Sequence, residues 1–73
     1  MIMKTERIDS VTTRILADGR HWGYVSHTDT LLLDEGDRWE VVSQWDTTYG
    51  RVVGRAAHYS DAVGIARNAV VAG

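Results

Sequence analysis

The 73-residue sequence contains no cysteine and no proline. Without cysteine the chain has neither a disulfide nor a thiolate ligand for a metal ion. A domain this short then depends on an efficient core, on a second subunit, or on both. Without proline, the turn signals are glycine and aspartate. The lack of cysteine also fits a reducing compartment, and we expect a cytoplasmic protein.

Long apolar runs are missing as well. The longest, "LLL" at 31–33, has the length of a strand, and no segment reaches the roughly 20 apolar residues that span a bilayer. The start, "MIMKTERIDS", is too short and too charged for a signal peptide. We therefore expect no membrane association. The formal net charge of −2 argues mildly against general nucleic-acid binding, which usually requires a basic excess.

Turn signals divide most of the chain into strands. In "ADGR" at 17–20, Asp18-Gly19 suits the tip of a two-residue hairpin loop, with Ile15 opposite Trp22. This register predicts a core face and an outer face. The core face holds Val11, Ile15, Trp22 and Tyr24, and the outer face holds Arg14, Leu16, His21 and Val25.

Two further tips follow, "DEGD" at 34–37 and "DTTYG" at 46–50. The first joins a strand at 30–33 to one at 38–45, and the second joins that strand to one at 51–59. At Asp34–Asp37 either Glu35-Gly36 forms a two-residue loop or Gly36 lies in a longer, bulged loop; the two differ by one residue in register and both stay open. Because the connections are short, neighbouring strands should be antiparallel and form a meander of about five strands.

From "HYSDAVGIARNAVVAG" onward the apolar period becomes helical. Ser60 suits an N-cap and Asp61 the first turn. We predict an α+β fold with a single domain at 10–73, in which one C-terminal helix covers the meander. Residues 1–9 would be a flexible arm or an added strand.

The strands at 38–45 and 51–59 should present one face to this helix. Small residues at 54 and 56 suit close approach of a helix rich in alanine. The predicted inward set is Trp39, Val41, Val52, Gly54 and Ala56. The predicted outward set is Arg38, Glu40, Val42, Arg51, Val53, Arg55 and Tyr59.

Catalytic and metal-binding patterns are not evident. His21 and His27 would lie about 20 Å apart along one strand, too far to share an ion. In "SHTD" at 26–29, neighbouring residues project to opposite faces, so no triad follows. The carboxylates at Asp34, Glu35, Asp37 and Glu40 lack the spacing of a calcium loop. We expect no catalytic residues, no metal and no cofactor, and hence a protein that is not an enzyme.

Arg38, Arg51 and Arg55 form the best nucleic-acid signal, because arginine on a small sheet can reach bases or phosphates. Over residues 38–69, the strands followed by a capped, alanine-rich helix resemble AP2-type and integrase arm-type DNA-binding domains. The likeness implies DNA contact through the sheet. The acidic balance and Glu40 among the arginines depart from that pattern.

The helix carries a different signal, because its apolar residues do not form one narrow stripe. Its larger apolar residues lie on several sides of the helix: Val63, Ile65, Val70 and Val71. Arg67 is one of its few polar residues. A second chain would cover such a helix, so these five residues are the predicted interaction set. We expect a homodimer, a protein partner, or both, and a non-catalytic interaction module.

Seven of the eight basic residues are arginine, and alanine, valine, glycine and aspartate are abundant. This composition resembles that of small proteins of actinobacteria and their phages. The likeness implies an accessory protein that acts on a host factor. Nucleic-acid binding through the arginines is the alternative.

Overall fold

The computed structural model describes residues 2–28, 38–45 and 49–72. Within them are β1 (Met3–Arg7), β2 (Thr12–Ala17), β3 (Arg20–His27), β4 (Trp39–Ser43), β5 (Arg51–Ala56) and α1 (Tyr59–Ala72). The strands form one antiparallel sheet in the order β1-β2-β3-β4-β5. The predicted α+β fold, a five-stranded meander with one C-terminal helix, is confirmed.

One of the five strands is not the one predicted. β3 pairs directly with β4, from Gly23 opposite Ser43 to His27 opposite Trp39, so no strand lies between them. β1 completes the sheet by pairing with β2 along its whole length. The strand predicted at 30–33 and the tip at 34–37 lie outside the described residues.

A β-bulge in the first hairpin overturns part of its predicted faces: Ile15 and Trp22 are buried as predicted, but the pairing beside them is not the predicted one. Ile15 lies opposite Gly23 and Leu16 opposite His21, so Trp22 is an extra residue in β3. Beyond the bulge the register shifts by one, and Val25 is buried where Tyr24 was expected. Val11, also expected in the core, is 43% exposed.

The bulge solves a packing problem. Trp22 and Val25 are three positions apart, and a regular strand would place them on opposite faces. With one extra residue both are buried on the face that meets the helix. Gly23 is needed beside the bulge, because a Cβ there would collide with the carbonyl oxygen of Val42 on β4.

A second bulge, in β5, changes which residues of that strand face the helix. Val41 lies opposite Gly54 and Val42 opposite Val52, so Val53 is the extra residue. Val52, predicted to face inward, is 44% exposed, whereas Val53, predicted to face outward, packs against the core.

The helix lies over β3, β4 and β5. Ala62, Ala66 and Val70 are buried against the sheet. Small residues allow the close approach: a Cβ on Gly54 would lie only 2.8 Å from Cγ2 of Ile65. The core thus formed consists of Ile15, Ala17, Trp22, Val25, Val41, Ala56, Ala62, Ala66 and Val70.

Tyr59 begins the helix, whereas the sequence placed it on the outer face of a strand. The N–H of Ala62 donates to the carbonyl oxygen of His58 at 3.1 Å, so helical bonding starts two residues before Ser60. The Tyr59 hydroxyl donates to Oγ1 of Thr13 at 3.1 Å, and its ring centroid lies 5.1 Å from that of Trp39. These contacts attach the start of the helix to the helix-facing side of β2 and β4.

Two glycine-to-alanine variants should shift stability in opposite directions. Gly23→Ala forces β3 and β4 apart and should cost about 3 kcal/mol, the upper part of the usual range for overpacking. Gly64→Ala adds a Cβ that meets nothing within 4 Å in a helix, and should stabilise by up to about 1 kcal/mol.

Thermal melting followed by circular dichroism measures both, at roughly 4–8 °C per kcal/mol for a domain of this size. A Gly23→Ala variant that melts at the wild-type temperature would contradict the close approach of the two strands.

Candidate interaction surfaces

The outer sheet face is the side of the sheet turned away from α1. Strand alternation, register and the two bulges define its members. Among the described residues no helix or strand lies on this face. Its central and β5-side residues are Arg14, Leu16, His21, Tyr24, Glu40, Val42, Gln44, Val52 and Arg55.

A hydrogen-bonded row crosses this face. Nε of Arg14 donates to Nδ1 of His21 at 3.0 Å, and Nε2 of His21 lies 2.7 Å from Oε1 of Gln44. Because arginine can only donate, Nδ1 must accept, and the ring proton lies on Nε2 and is donated to Gln44. The Tyr24 ring packs against His21 with centroids 5.0 Å apart.

All three side chains of the row are half-buried, although none of the described helices or strands covers them. Within the described residues no buried side-chain nitrogen or oxygen lacks a partner. Leu16 and Val42, also half-buried, contribute apolar area to the same face. A fixed polar row beside tyrosine and aliphatic side chains is a composition found in protein interfaces, where tyrosine and arginine are enriched.

The three arginines predicted to contact nucleic acid do not form one cluster. Nε of Arg55 donates to Oε2 of Glu40 at 3.2 Å on the outer sheet face. Arg51 lies opposite Ser43, which is buried on the helix side of the sheet. The bulge at Val53 therefore separates two arginines that regular alternation would place together. Arg38 precedes β4, and its carbonyl oxygen accepts the N–H of Thr28 at 2.8 Å.

The predicted helix set also divides between different environments. Val70 is 1% exposed and belongs to the core, and Ile65 is half-buried over Gly54. Val63 is half-buried, Arg67 is exposed and Val71 is 71% exposed. The sheet thus covers much of the apolar surface that the sequence assigned to a second chain.

The histidines lie in three separate places. His27 packs against Trp39 with ring centroids 4.9 Å apart, on the helix side, whereas His21 lies on the outer sheet face. The bulge at Trp22 puts them on opposite faces, whereas regular alternation would put residues six positions apart on the same face. His58 is exposed before the helix. In the part of the chain that the structure covers, no three histidine or acidic residues are grouped as metal ligands.

The carboxylates at Asp34, Glu35 and Asp37, and Asp29 of "SHTD", lie outside the described residues. None of the described helical segments is long and apolar enough to cross a membrane.

The β1 edge, residues 2–8, is a further candidate surface, beside the outer sheet face and the helix. Residues 4–7 are exposed, and the flanking Ile2 and Ile8 are 70% and 53% exposed. The segment is nevertheless attached: the N–H of Ile2 donates to Oδ1 of Asp18 at 2.8 Å, and the N–H of Asp18 donates to the oxygen of Ile2 at 2.9 Å. At the other end the N–H of Ile8 donates to the oxygen of Thr12 at 3.0 Å.

Comparison of the chain with known protein families, with curated proteins and with solved structures found no match.

The hydrogen-bonded row makes a spectroscopic prediction. Neutral His21 should carry its proton on Nε2, because Nδ1 accepts from Arg14. Long-range ¹H–¹⁵N correlation spectra distinguish the two tautomers directly. The Arg14→Met variant, which removes the donor, should lose this preference, whereas His58 should be unchanged in both proteins. An Nδ1-protonated His21 in the wild-type protein would contradict the row.

Proposed function

We propose that the protein is a non-catalytic interaction module that self-associates and modulates a partner protein in the cytoplasm. The observation that carries this proposal is the sheet with α1 on one face and an outer sheet face that no described helix or strand covers. The likeness to small actinobacterial phage proteins extends the proposal to an accessory protein that acts on a host factor.

The composition of the outer sheet face supports a protein partner. Tyr24 and Arg14 are residue types that anchor interfaces, and the side-chain contacts of the row with His21 and Gln44 already hold them in place. Side chains fixed before binding lose little conformational entropy when a partner docks. Val42 and Val52, opposite one another on β4 and β5, add an apolar strip beside the row.

Nucleic-acid binding, the alternative from the sequence, has less support. Arg55 is engaged by Glu40, and Arg51 lies toward the other face of the sheet. A nucleic-acid groove would need several cations directed to the same side.

Affinity capture from the native cell tests the proposed function with two matched variants. Val52→Glu places a charge on the outer sheet face, and Val71→Glu places the same charge on the solvent side of α1; both valines are exposed. We expect wild type and Val71→Glu to recover the same protein, and Val52→Glu to lose it at least about tenfold, since a desolvated unpaired charge is costly.

If Val71→Glu loses the protein and Val52→Glu keeps it, the binding surface is the helix. Equal recovery with both variants, or recovery of nucleic acid without protein, would contradict the proposal.

Duplex DNA binding at low salt provides a separate test. We expect the wild type to show no salt-sensitive binding of duplex DNA. The Arg51→Ala/Arg55→Ala double variant should have the same DNA affinity as wild type. Fluorescence anisotropy over a salt series measures this. Strong binding at low salt that the double variant loses would instead favour the arginine-based alternative.

A further inference from the structure

The free backbone groups of the β1 edge belong to alternate residues. Ile2 and Ile8 direct their backbone groups toward β2 and its flanking turns, as their bonds with Asp18 and Thr12 show. Since this direction alternates along a strand, Met3, Thr5 and Arg7 direct their N–H and C=O groups away from β2. In the described residues no strand pairs with β1 on that side. A strand edge with free N–H and C=O groups is a template for pairing with another strand.

We propose that β1 pairs edge to edge with β1 of a second copy of this chain, antiparallel, about a two-fold axis at Thr5. The inference rests on the self-association proposed above and names its surface. The result is one continuous sheet of two copies, in which the same patch meets itself.

Backbone direction restricts the possible registers. Residues that point to the free edge can pair only with one another, so Met3, Thr5 and Arg7 of one copy meet Met3, Thr5 and Arg7 of the other. Three registers pair at least three residues of each strand. They place Thr5 opposite Thr5, Met3 opposite Thr5, or Thr5 opposite Arg7.

Charge selects one of the three registers. Placing Met3 opposite Thr5 sets Lys4 against Lys4, and placing Thr5 opposite Arg7 sets Glu6 against Glu6. With Thr5 opposite Thr5, Lys4 of each copy lies against Glu6 of the other, and all five residues of β1 are paired. Opposite charges across a strand pair stabilise it and like charges destabilise it.

The same two-fold axis also pairs the exposed isoleucines at the ends of the β1 edge. In the Thr5-centred register, Ile2 of one copy lies opposite Ile8 of the other, at both ends of the pair. These residues are 70% and 53% exposed, and pairing would remove apolar area from water on each side. The edge therefore combines open hydrogen-bonding groups, charge complementary to itself, and apolar ends.

A charge exchange tests the register with the full chain. Sedimentation equilibrium over a concentration series should show a dimer for wild type. Lys4→Glu and Glu6→Lys should each weaken self-association at least about tenfold, because every copy then meets like charges. An equimolar mixture of the two variants should form a one-to-one heterodimer, since one strand carries two acidic groups and the other two basic groups.

Thiol cross-linking provides a second readout, because the chain has no cysteine of its own. Across the axis the Thr5 Cα atoms would be about 5.5 Å apart, a separation that suits a disulfide. Thr5→Cys should therefore oxidise to a covalent dimer. Lys4→Cys is the matched control: alone it should cross-link poorly, and mixed with Glu6→Cys it should cross-link well. Circular dichroism confirms that each variant is folded.

The outcomes separate the two proposals. A wild-type chain that stays monomeric at every concentration overturns self-association and the β1 pairing together. A wild-type dimer that persists in both charge variants, with no preference in the mixture, leaves self-association standing and refutes the β1 edge. Cross-linking of Lys4→Cys alone as efficient as that of Thr5→Cys refutes the Thr5 axis.

Discussion

The extra residue at Trp22 determines which side chains of this sheet meet the helix. Trp22 and Val25 are both needed in a small core, and they lie three positions apart, so regular alternation would put them on opposite faces. The bulge places both on one face, and it depends on Gly23, where the backbone of β4 leaves no room for a Cβ. The bulge at Val53 has the same effect in β5, where it puts Val53 against the core and leaves Val52 outside.

The surfaces available to partners follow from these two irregularities. His21 and Tyr24 lie together on the outer sheet face only because the extra residue lies between them. Arg51 and Arg55 lie toward opposite faces because Val53, the extra residue of β5, lies between them. The hydrogen-bonded row, the apolar strip and the dispersed arginines are therefore consequences of how the core was packed.

The helix and four of the five described strands could be predicted from the sequence because their signals are local. Asp18-Gly19 indicates a hairpin, and the helical spacing after Tyr59 indicates α1. The faces could not be predicted as well, because strict alternation fails beyond a bulge. Glycine within a strand is the available signal. Both Gly23 and Gly54 adjoin a bulge.

The candidate surfaces were harder to predict. "MKTER" has no apolar alternation, so residues 3–7 could equally be an arm, and only the pairing with β2 shows a strand. The row of Arg14, His21 and Gln44 joins positions far apart in the chain. In the helix set, spacing alone could not distinguish Val70, which the core takes up, from Val71, which stays in solvent.

The meander order has a kinetic consequence. Each described strand pairs with the described strand next to it in sequence, so the sheet can form by successive closure of hairpins, a topology that favours rapid folding. Docking of α1 differs, since the Tyr59–Thr13 contact joins residues 46 positions apart. The chain must therefore close a large loop at this step, and until then Trp22 and Val25 lack the apolar cover that α1 provides.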